Sequence, residues 1–243
     1  MLTFAAVTVV AIAAAVQRLT GLGFALVATP LIVLLMGPVQ GVLTITVIGF
    51  FVSLVLLVMM FRDVDWRRTA IIVGAGALAS PLAALAIVRS SAPMLLLGVG
   101  CAGLLALIAG RLTVLTRRLR GTGGAIATGV ASGFLHVTSG LSGPPLIAYG
   151  LNDRWEQRSF IASLQAIFIG FHLITLGWRG FPEVSLARLS ELLVAAAAGT
   201  LVGALAERRV RPAWSRIGML VIAWIGTIAV LLRGLWMMVA PAL

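Results

Sequence analysis

The chain of 243 residues contains no lysine, a single cysteine and few charged side chains of either sign. Its eighteen basic residues are all arginines, its acidic residues number seven, and charged residues make up 10% of the sequence. A soluble domain carries roughly 25% charged residues, so this scarcity argues against one. The single cysteine excludes a disulfide within the chain, and Cys101, inside an apolar run, is interpreted as a small packing residue.

The excess of arginine over acidic residues gives a net charge of +11, which would suggest nucleic-acid binding in a soluble protein. Here the arginines cluster in short gaps between apolar runs, at 62–68, 111–120 and 208–216. The positive-inside rule and contact with lipid headgroups explain such clusters better than nucleic acid does. The acidic residues lie in or near the gaps, so we expect neither a carboxylate-built sodium site nor any cofactor.

Apolar residues make up 61% of the chain and the mean hydropathy is +1.14, values typical of a membrane protein. A membrane-spanning helix needs about 20 predominantly apolar residues. The pattern predicts six segments near that length: Gly41–Met60, Thr69–Val88, Met94–Gly110, Ser159–Leu176, Leu189–Ala206 and Ile217–Leu232.

The stretch 133–147 stands where a membrane helix is expected, yet it holds Gly140, Gly143, Pro144 and Pro145. In a helix interior each glycine costs about 1 kcal/mol and each proline about 3 kcal/mol. We therefore expect one helix to end near His136 and another to begin at Pro144 or Pro145, where proline is tolerated. Irregular backbone at membrane depth must be buried in protein or line a cavity.

A second interruption, at 17–23, opens the first half of the chain, and the order of features then repeats. Each half has a broken pair of short segments followed by three longer spans, which divides the chain into repeats 1–117 and 118–243. Short motifs correspond as well: Thr20-Gly21-Leu22-Gly23 with Ser139-Gly140-Leu141-Ser142, Pro30-Leu31-Ile32 with Pro145-Leu146-Ile147, and Gly49-Phe50 with Gly170-Phe171.

The arginine clusters predict opposite orientations for the two halves. With 111–120 and 207–216 in the cytoplasm, 61–68 is cytoplasmic, whereas its equivalent 177–188 lies outside. The predicted fold is an all-α membrane protein with an inverted-topology repeat, each half being a broken or re-entrant helix pair plus three transmembrane helices. Secondary transporters use this architecture, with the substrate near the midplane where the breaks face each other.

The Gly-Leu-Gly of the first half and the Ser-Gly-Leu-Ser-Gly-Pro-Pro-Leu-Ile of the second resemble the TauE/SafE family of sulfite and organosulfonate exporters. The resemblance covers nearly the whole chain. It implies transport of a small anion (sulfite, a sulfonate or a short carboxylate) across a bacterial inner membrane. The oligomeric state stays open, a homodimer being one option.

The candidate substrate-binding residues surround the two breaks. Hydroxyl groups and free N–H groups at a helix N-terminus suit an anion, and an intramembrane arginine usually has a functional partner, although Arg18 could instead snorkel to the interface. His136 suits either a substrate or proton contact or a structural hydrogen bond, and His172 shares a helix face with Gln165. The set is Gln17, Arg18, Thr20, Gly21, Gly23, His136, Thr138, Ser139, Gly140, Ser142, Gly143, Pro144, Gln165 and His172.

An alternative function belongs to another class. Gly140-Leu141-Ser142-Gly143 is also the Gly-x-Ser-Gly of rhomboid intramembrane proteases, with Ser142 as nucleophile and His172 as base. The repeat, the double proline directly after the motif and the arginine pattern count against it. We therefore expect a transporter and not an enzyme.

Overall fold

The computed structural model describes residues 2–21, 23–108, 119–207, 209 and 212–239. This part of the chain is helical and holds no strand. Its helices are α1 (Leu2–Thr20), α2 (Gly23–Met36), α3 (Pro38–Met60), α4 (Trp66–Val88), α5 (Ala92–Ile108), α6 (Gly121–Ser139), α7 (Gly143–Asn152), α8 (Gln157–Arg179), α9 (Leu186–Ala206) and α10 (Pro212–Val239). The predicted all-α membrane fold is confirmed.

Five helices are long and apolar enough to cross a membrane, by length and composition. They are α4, α8 and α9, α3 with the 3-10 turn that extends it (Pro38–Asp63), and α10 from Ile217 onward. The predicted span Met94–Gly110 appears as α5, which is described only to Ile108. Many large apolar side chains on these helices are exposed, as lipid-facing residues must be. Cys101 is exposed too, so its interpretation as a packing residue was wrong.

The closest helix pairs join the first half of the chain to the second. Helix α1 packs along α9, α4 along α6, and α5 along α10. Small residues allow these approaches. A Cβ built on Gly133 of α6 would lie 2.4 Å from the Gly76 Cα of α4, and one on Gly199 of α9 would lie 2.1 Å from the Ala11 carbonyl oxygen of α1. The two halves are therefore interlocked.

The packing corresponds between the halves. Exchange of the halves maps α1 onto α6, α2 onto α7, α3 onto α8, α4 onto α9 and α5 onto α10. The α1–α9 pair then becomes the α6–α4 pair. One buried apolar cluster is built from α1, α2, α3 and α9, and a second from α6, α7, α8 and α4. The repeat and the opposite membrane orientation of its halves stay predictions.

Two sequence predictions fall partly outside the described residues. The boundary of the halves at 117/118 and most of the arginine cluster 111–120 lie there, as does part of the cluster 208–216.

The proline inside α4, Pro81, does not divide that helix, which runs unbroken from Trp66 to Val88.

Candidate functional site

The second break lies between α6 and α7, close to where the glycines and prolines predict it. Helix α6 continues to Ser139, so the predicted end at His136 was almost one turn too early. Gly140 ends the helix in the left-handed conformation (φ 73°), and its N–H donates to the His136 carbonyl at 2.8 Å. Glycine adopts this conformation without a steric penalty.

Helix α7 begins at Gly143, with prolines in its first turn. This start is one residue earlier than predicted, because the first helical positions need no donated N–H and therefore accept proline. The N-cap is Ser142, whose side chain makes no capping bond to the helix. The Ser142 hydroxyl is therefore not used to cap α7, and Gly143 is the one residue among the first three of α7 that has an N–H, since Pro144 and Pro145 have none.

The first break, between α1 and α2, ends its helix in the same way. Gly21 is left-handed (φ 78°), and its N–H donates to the Gln17 carbonyl at 2.7 Å. The predicted interruption at 17–23 began too early, since α1 stays helical to Thr20, and α2 begins at Gly23. The Gln17 Oε1 accepts from the Phe24 N–H at 2.9 Å, so this side chain holds the start of α2.

Helix α8 passes both breaks. Near its start, the Gln165 Nε2 donates to the Gly21 carbonyl at 3.3 Å, and the Gln17 Nε2 donates to the Gln165 Oε1 at 3.4 Å. Two turns further along, His172 lies against the second break. The rise of 1.5 Å per residue separates these two positions by about 10 Å. Gln165 and His172 therefore share one helix face, as predicted, but serve different breaks.

Three buried side chains form a continuous hydrogen-bonded chain at the second break. The Ser142 Oγ lies 3.0 Å from the His136 Nδ1, and the His136 Nε2 lies 3.0 Å from the His172 Nδ1. None of the three is more than 6% exposed. Gly49 of α3 makes room for the second ring, because a Cβ at Gly49 would lie 2.9 Å from the His172 Nε2. We name this chain the Ser142–His136–His172 relay.

A cavity of about 290 Å³ lies between the two breaks. The relay forms part of its wall, together with the glycines that flank Ser142. Other lining residues come from the end of α1 and from α2, α3, α8 and α10. They include Gln17, Thr20, Phe24, Val52, Ser53, Phe168, Met219 and Leu220. The cavity thus joins the two segments that the sequence singles out.

Some predicted site residues do not line this cavity. The Arg18 guanidinium is 2.8 Å from the Glu207 carboxylate. The hydroxyls of Thr138 and Ser139 donate to carbonyl groups of their own helix. Gln165 lies behind Gln17. Direct contact between Arg18 and an anion stays a prediction, and it requires this ion pair to open.

Gly21, Gly23 and Pro144 have backbone roles at the breaks. Gly21 and Pro144 lie at the end of one helix and the beginning of another. Gly23 packs against α1, because a Cβ there would lie 2.5 Å from the Val16 side chain. None of the three is among the residues that line the cavity, so each shapes the break without facing its interior.

Two residues at the second break escape prediction from the sequence. The Arg179 Nη1, at the end of α8, donates to the Val137 carbonyl at 2.8 Å, which satisfies a carbonyl in the last turn of α6. Gly49 matters because of the ring packed against it. For Gly49, the sequence offered one signal, the correspondence of Gly49-Phe50 with Gly170-Phe171. For Arg179, it offered none, because an arginine beside a loop is common at the end of a membrane helix.

The geometry differs from that of the predicted protease pair. His172 bonds to His136, and Ser142 bonds to the other nitrogen of His136, so the proposed nucleophile and base are not in direct contact. A nucleophile and its base must lie within hydrogen-bond reach. The arrangement thus gives no support to Ser142 and His172 as a catalytic dyad.

Comparison with known families gives one match, to the family described as sulfite exporter TauE/SafE, over residues 6–231. Comparison with curated proteins and with solved structures finds no match. The family consists of transporters and not enzymes, which agrees with the membrane-capable helices. The match includes both breaks and every described residue that lines the cavity. The chain is a multi-pass membrane protein and belongs to the TauE/SafE sulfite exporter family.

Proposed function

We propose that the protein is a secondary transporter, working as an exporter in a bacterial inner membrane, for small anions such as sulfite or organosulfonates. The substrate binds in the cavity between the two helix breaks. The observation that carries the proposal is the wall of this cavity, where Ser142, His136 and the start of α7 come together. A short carboxylate fits the same chemistry.

The second break offers an anion several donors. The Gly143 N–H and the positive end of the α7 dipole are available at the break, whereas Pro144 and Pro145 have no N–H to donate. The Ser142 hydroxyl and the two imidazoles are further donors, depending on how their hydrogens are placed. The described residues that line the cavity include no carboxylate, so nothing in this wall repels a negative charge.

Direct binding tests the proposed substrate class. Purified protein in detergent is titrated with sulfite, methanesulfonate, ethanesulfonate and acetate, and both the dissociation constant and the shift in melting temperature are measured. We expect at least one of the sulfur anions to bind and stabilise the protein, because a ligand that binds the folded state alone raises its stability. Failure of all four anions to bind or to be transported contradicts the proposal.

The Ser142→Ala variant tests the position of the site. A hydrogen bond to a charged group is worth about 1.5–3 kcal/mol, so we expect anion affinity to fall by roughly ten- to hundredfold. Ser80→Ala is the matched control, because Ser80 is equally buried but bonds only to the Ala77 carbonyl of its own helix. Equal affinities in the two variants would place the site elsewhere.

Gly143→Val is an independent test of the same site. A Cβ at Gly143 would meet only the end of the Ile147 side chain, at 4.0 Å, so the protein tolerates it sterically. The branched side chain would instead occupy cavity space beside the α7 N-terminus. We expect a stable protein with strongly weakened anion binding.

A further inference from the structure

We propose that the Ser142–His136–His172 relay is a proton-binding site, and that the protein binds one proton together with the anion. This inference rests on the proposed function, since it concerns the same cavity. The two histidines lie 36 residues apart in the sequence, on α6 and α8, and no sequence pattern indicates that their rings are in contact. They are the only histidines in the chain.

The geometry of the relay restricts where hydrogens can lie. A neutral imidazole has one N–H donor and one acceptor nitrogen. The bond between the His136 Nε2 and the His172 Nδ1 needs one hydrogen, and so does the bond between the His136 Nδ1 and the Ser142 Oγ. When His136 donates to His172, its Nδ1 must accept, and the Ser142 hydroxyl is then turned away from the cavity and toward the ring.

Uptake of one proton changes the direction of the serine bond. A proton from cavity water forms a new N–H bond at the His136 Nδ1, and the ring gains one positive charge. Both nitrogens of His136 then donate, one to Ser142 and one to His172. The Ser142 oxygen accepts from the ring, and its own hydrogen is free to bind an anion in the cavity. Release of the anion and the proton restores the first arrangement.

The surroundings explain why the proton and the anion should bind together. The relay is buried, and an uncompensated charge in such a place is costly. Gly49 of α3 lies against the His172 ring, and Ser53 of α3, Phe24 of α2 and Gln17 of α1 line the same cavity. No carboxylate among the described residues is bonded to either ring. An anion in the cavity therefore supplies the negative charge that a protonated relay requires.

Other charged groups of the helices packed around the relay lie at its periphery. Arg179 at the end of α8 is bonded to Val137, next to His136, and its positive charge increases the need for an anion. Arg18, near the end of α1, is paired with Glu207. Further charges stand near the opposite end of α8, where α8 begins, and are in part paired there. They include Arg62, Asp63, Asp65, Arg67, Arg68, Arg120, Asp153, Glu156 and Arg158.

Nuclear magnetic resonance of the imidazole nitrogens tests the proposal directly. The full chain, labelled with ¹⁵N-histidine and purified through a tag without histidine, gives signals from these two rings alone. Spectra are recorded between about pH 5 and 8, with and without saturating methanesulfonate, which stays ionised throughout. As the pH is lowered, we expect the signal of a cationic imidazole to appear at a higher pH with methanesulfonate than without it. Neutral rings over the whole range, in a protein shown to bind methanesulfonate, would overturn the proposal.

Transport in proteoliposomes gives the second measurement. A methanesulfonate gradient is imposed, and proton movement is followed with a pH-sensitive dye inside the vesicles while anion movement is followed with labelled substrate. In His136→Gln we expect the number of protons moved per anion to fall by about tenfold, because glutamine can still hydrogen-bond but has no nitrogen that takes up a proton in this pH range. Ser80→Ala should keep the ratio of the unchanged protein.

The outcomes separate this inference from the proposed function. Anion transport without proton movement in the unchanged protein would overturn the relay but leave the transporter intact. An unaltered ratio of protons to anions in His136→Gln would do the same. The absence of both anion binding and anion transport would instead contradict the proposed function itself.

Discussion

At the scale of single residues, the site depends on a ring packed against a glycine. The His172 imidazole fills the space that a side chain at Gly49 would need. The ring is in turn bonded to His136, and a displacement would therefore be transmitted to Ser142. The absence of a side chain at Gly49 therefore determines where the His172 ring lies and, through its hydrogen bonds, the geometry of the relay.

Gly49→Ala tests this dependence. The new methyl would lie 2.9 Å from the ring, so His172 must move, and we expect anion affinity to fall by roughly tenfold or more, as small misplacements of binding groups do. Gly74→Ala is the control, since nothing lies within 4 Å of a Cβ there. It should leave affinity unchanged and raise stability by up to about 1 kcal/mol. Equal affinities in both variants would show that the ring tolerates displacement.

Glu156 lies outside the membrane-spanning segments, and its hydrogen bonds predict that the stability of the protein depends on pH. Its carboxylate accepts hydrogen bonds from the Ser159 and Arg158 N–H groups at the start of α8, and these bonds lower its pKa. A lowered pKa means that its contribution to stability is complete above the ordinary glutamate value, near pH 4.5, and is lost as the pH falls through the folded-state value. Glu156→Gln should therefore destabilise the protein at pH 7 and lose this effect in acid.

Thermal unfolding in detergent at pH 7 and at about pH 3.5 measures this difference, with the ordinary glutamate pKa lying between the two conditions. Glu191→Gln is the comparison, because this exposed side chain lies within α9 and caps no helix. A Glu156→Gln effect that is the same at both pH values would exclude the carboxylate as its source.

At the scale of helices, close backbone contacts at glycines favour particular helix pairs. Gly129 and Gly133 lie one turn apart on α6 and face Ile72 and Gly76 of α4. Backbone atoms are in contact there, so no side-chain rearrangement can make room. The same arrangement joins α9 to α1 through Gly199 and Gly203. The specificity of pairing thus resides in the smallest side chains.

Two alanine substitutions on α6 measure this effect. Gly133→Ala places a methyl 2.4 Å from the Gly76 Cα, and we expect a loss of about 1–3 kcal/mol in the free energy of unfolding, as overpacking produces. Gly123→Ala, where nothing lies within 4 Å, should gain up to about 1 kcal/mol through helix propensity. Reversible unfolding in mixed detergent gives both values, and a similar change in both variants would contradict the proposed tight contact.

The positions of the breaks were largely predictable, but their connections were not. Glycine and proline act on their own backbone, so the interruptions near Gly21 and Gly140 follow from local chemistry. Thr138 and Ser139 extend α6 because their hydroxyls donate to carbonyls of the same helix. The meeting of His136 with His172, and of Arg18 with Glu207, depends on how distant helices pack, which no local pattern encodes.

At the scale of the whole molecule, the membrane orientation of the halves is the prediction to test. Single cysteines replace Thr122, beside the start of α6, and Pro182, between α8 and α9, after Cys101→Ser. The arginine distribution predicts that an impermeant thiol reagent labels these positions from opposite sides. Labelling of both from the same side would contradict the inverted repeat, whatever the correspondence between the helix pairs.

The pairing of α1 with α9 also has a consequence for how the chain is made. Helix α1 is synthesised before α9, which carries the glycines that its Ala11 and Ala15 contact, and seven other described α-helices come between the two. During elongation, that face of α1 must therefore rest against lipid or against another protein. The nascent chain should remain vulnerable to degradation until α9 emerges, and a ribosome that stops after α8 leaves behind a membrane protein in which the Ala11 and Ala15 face of α1 lacks its native partner.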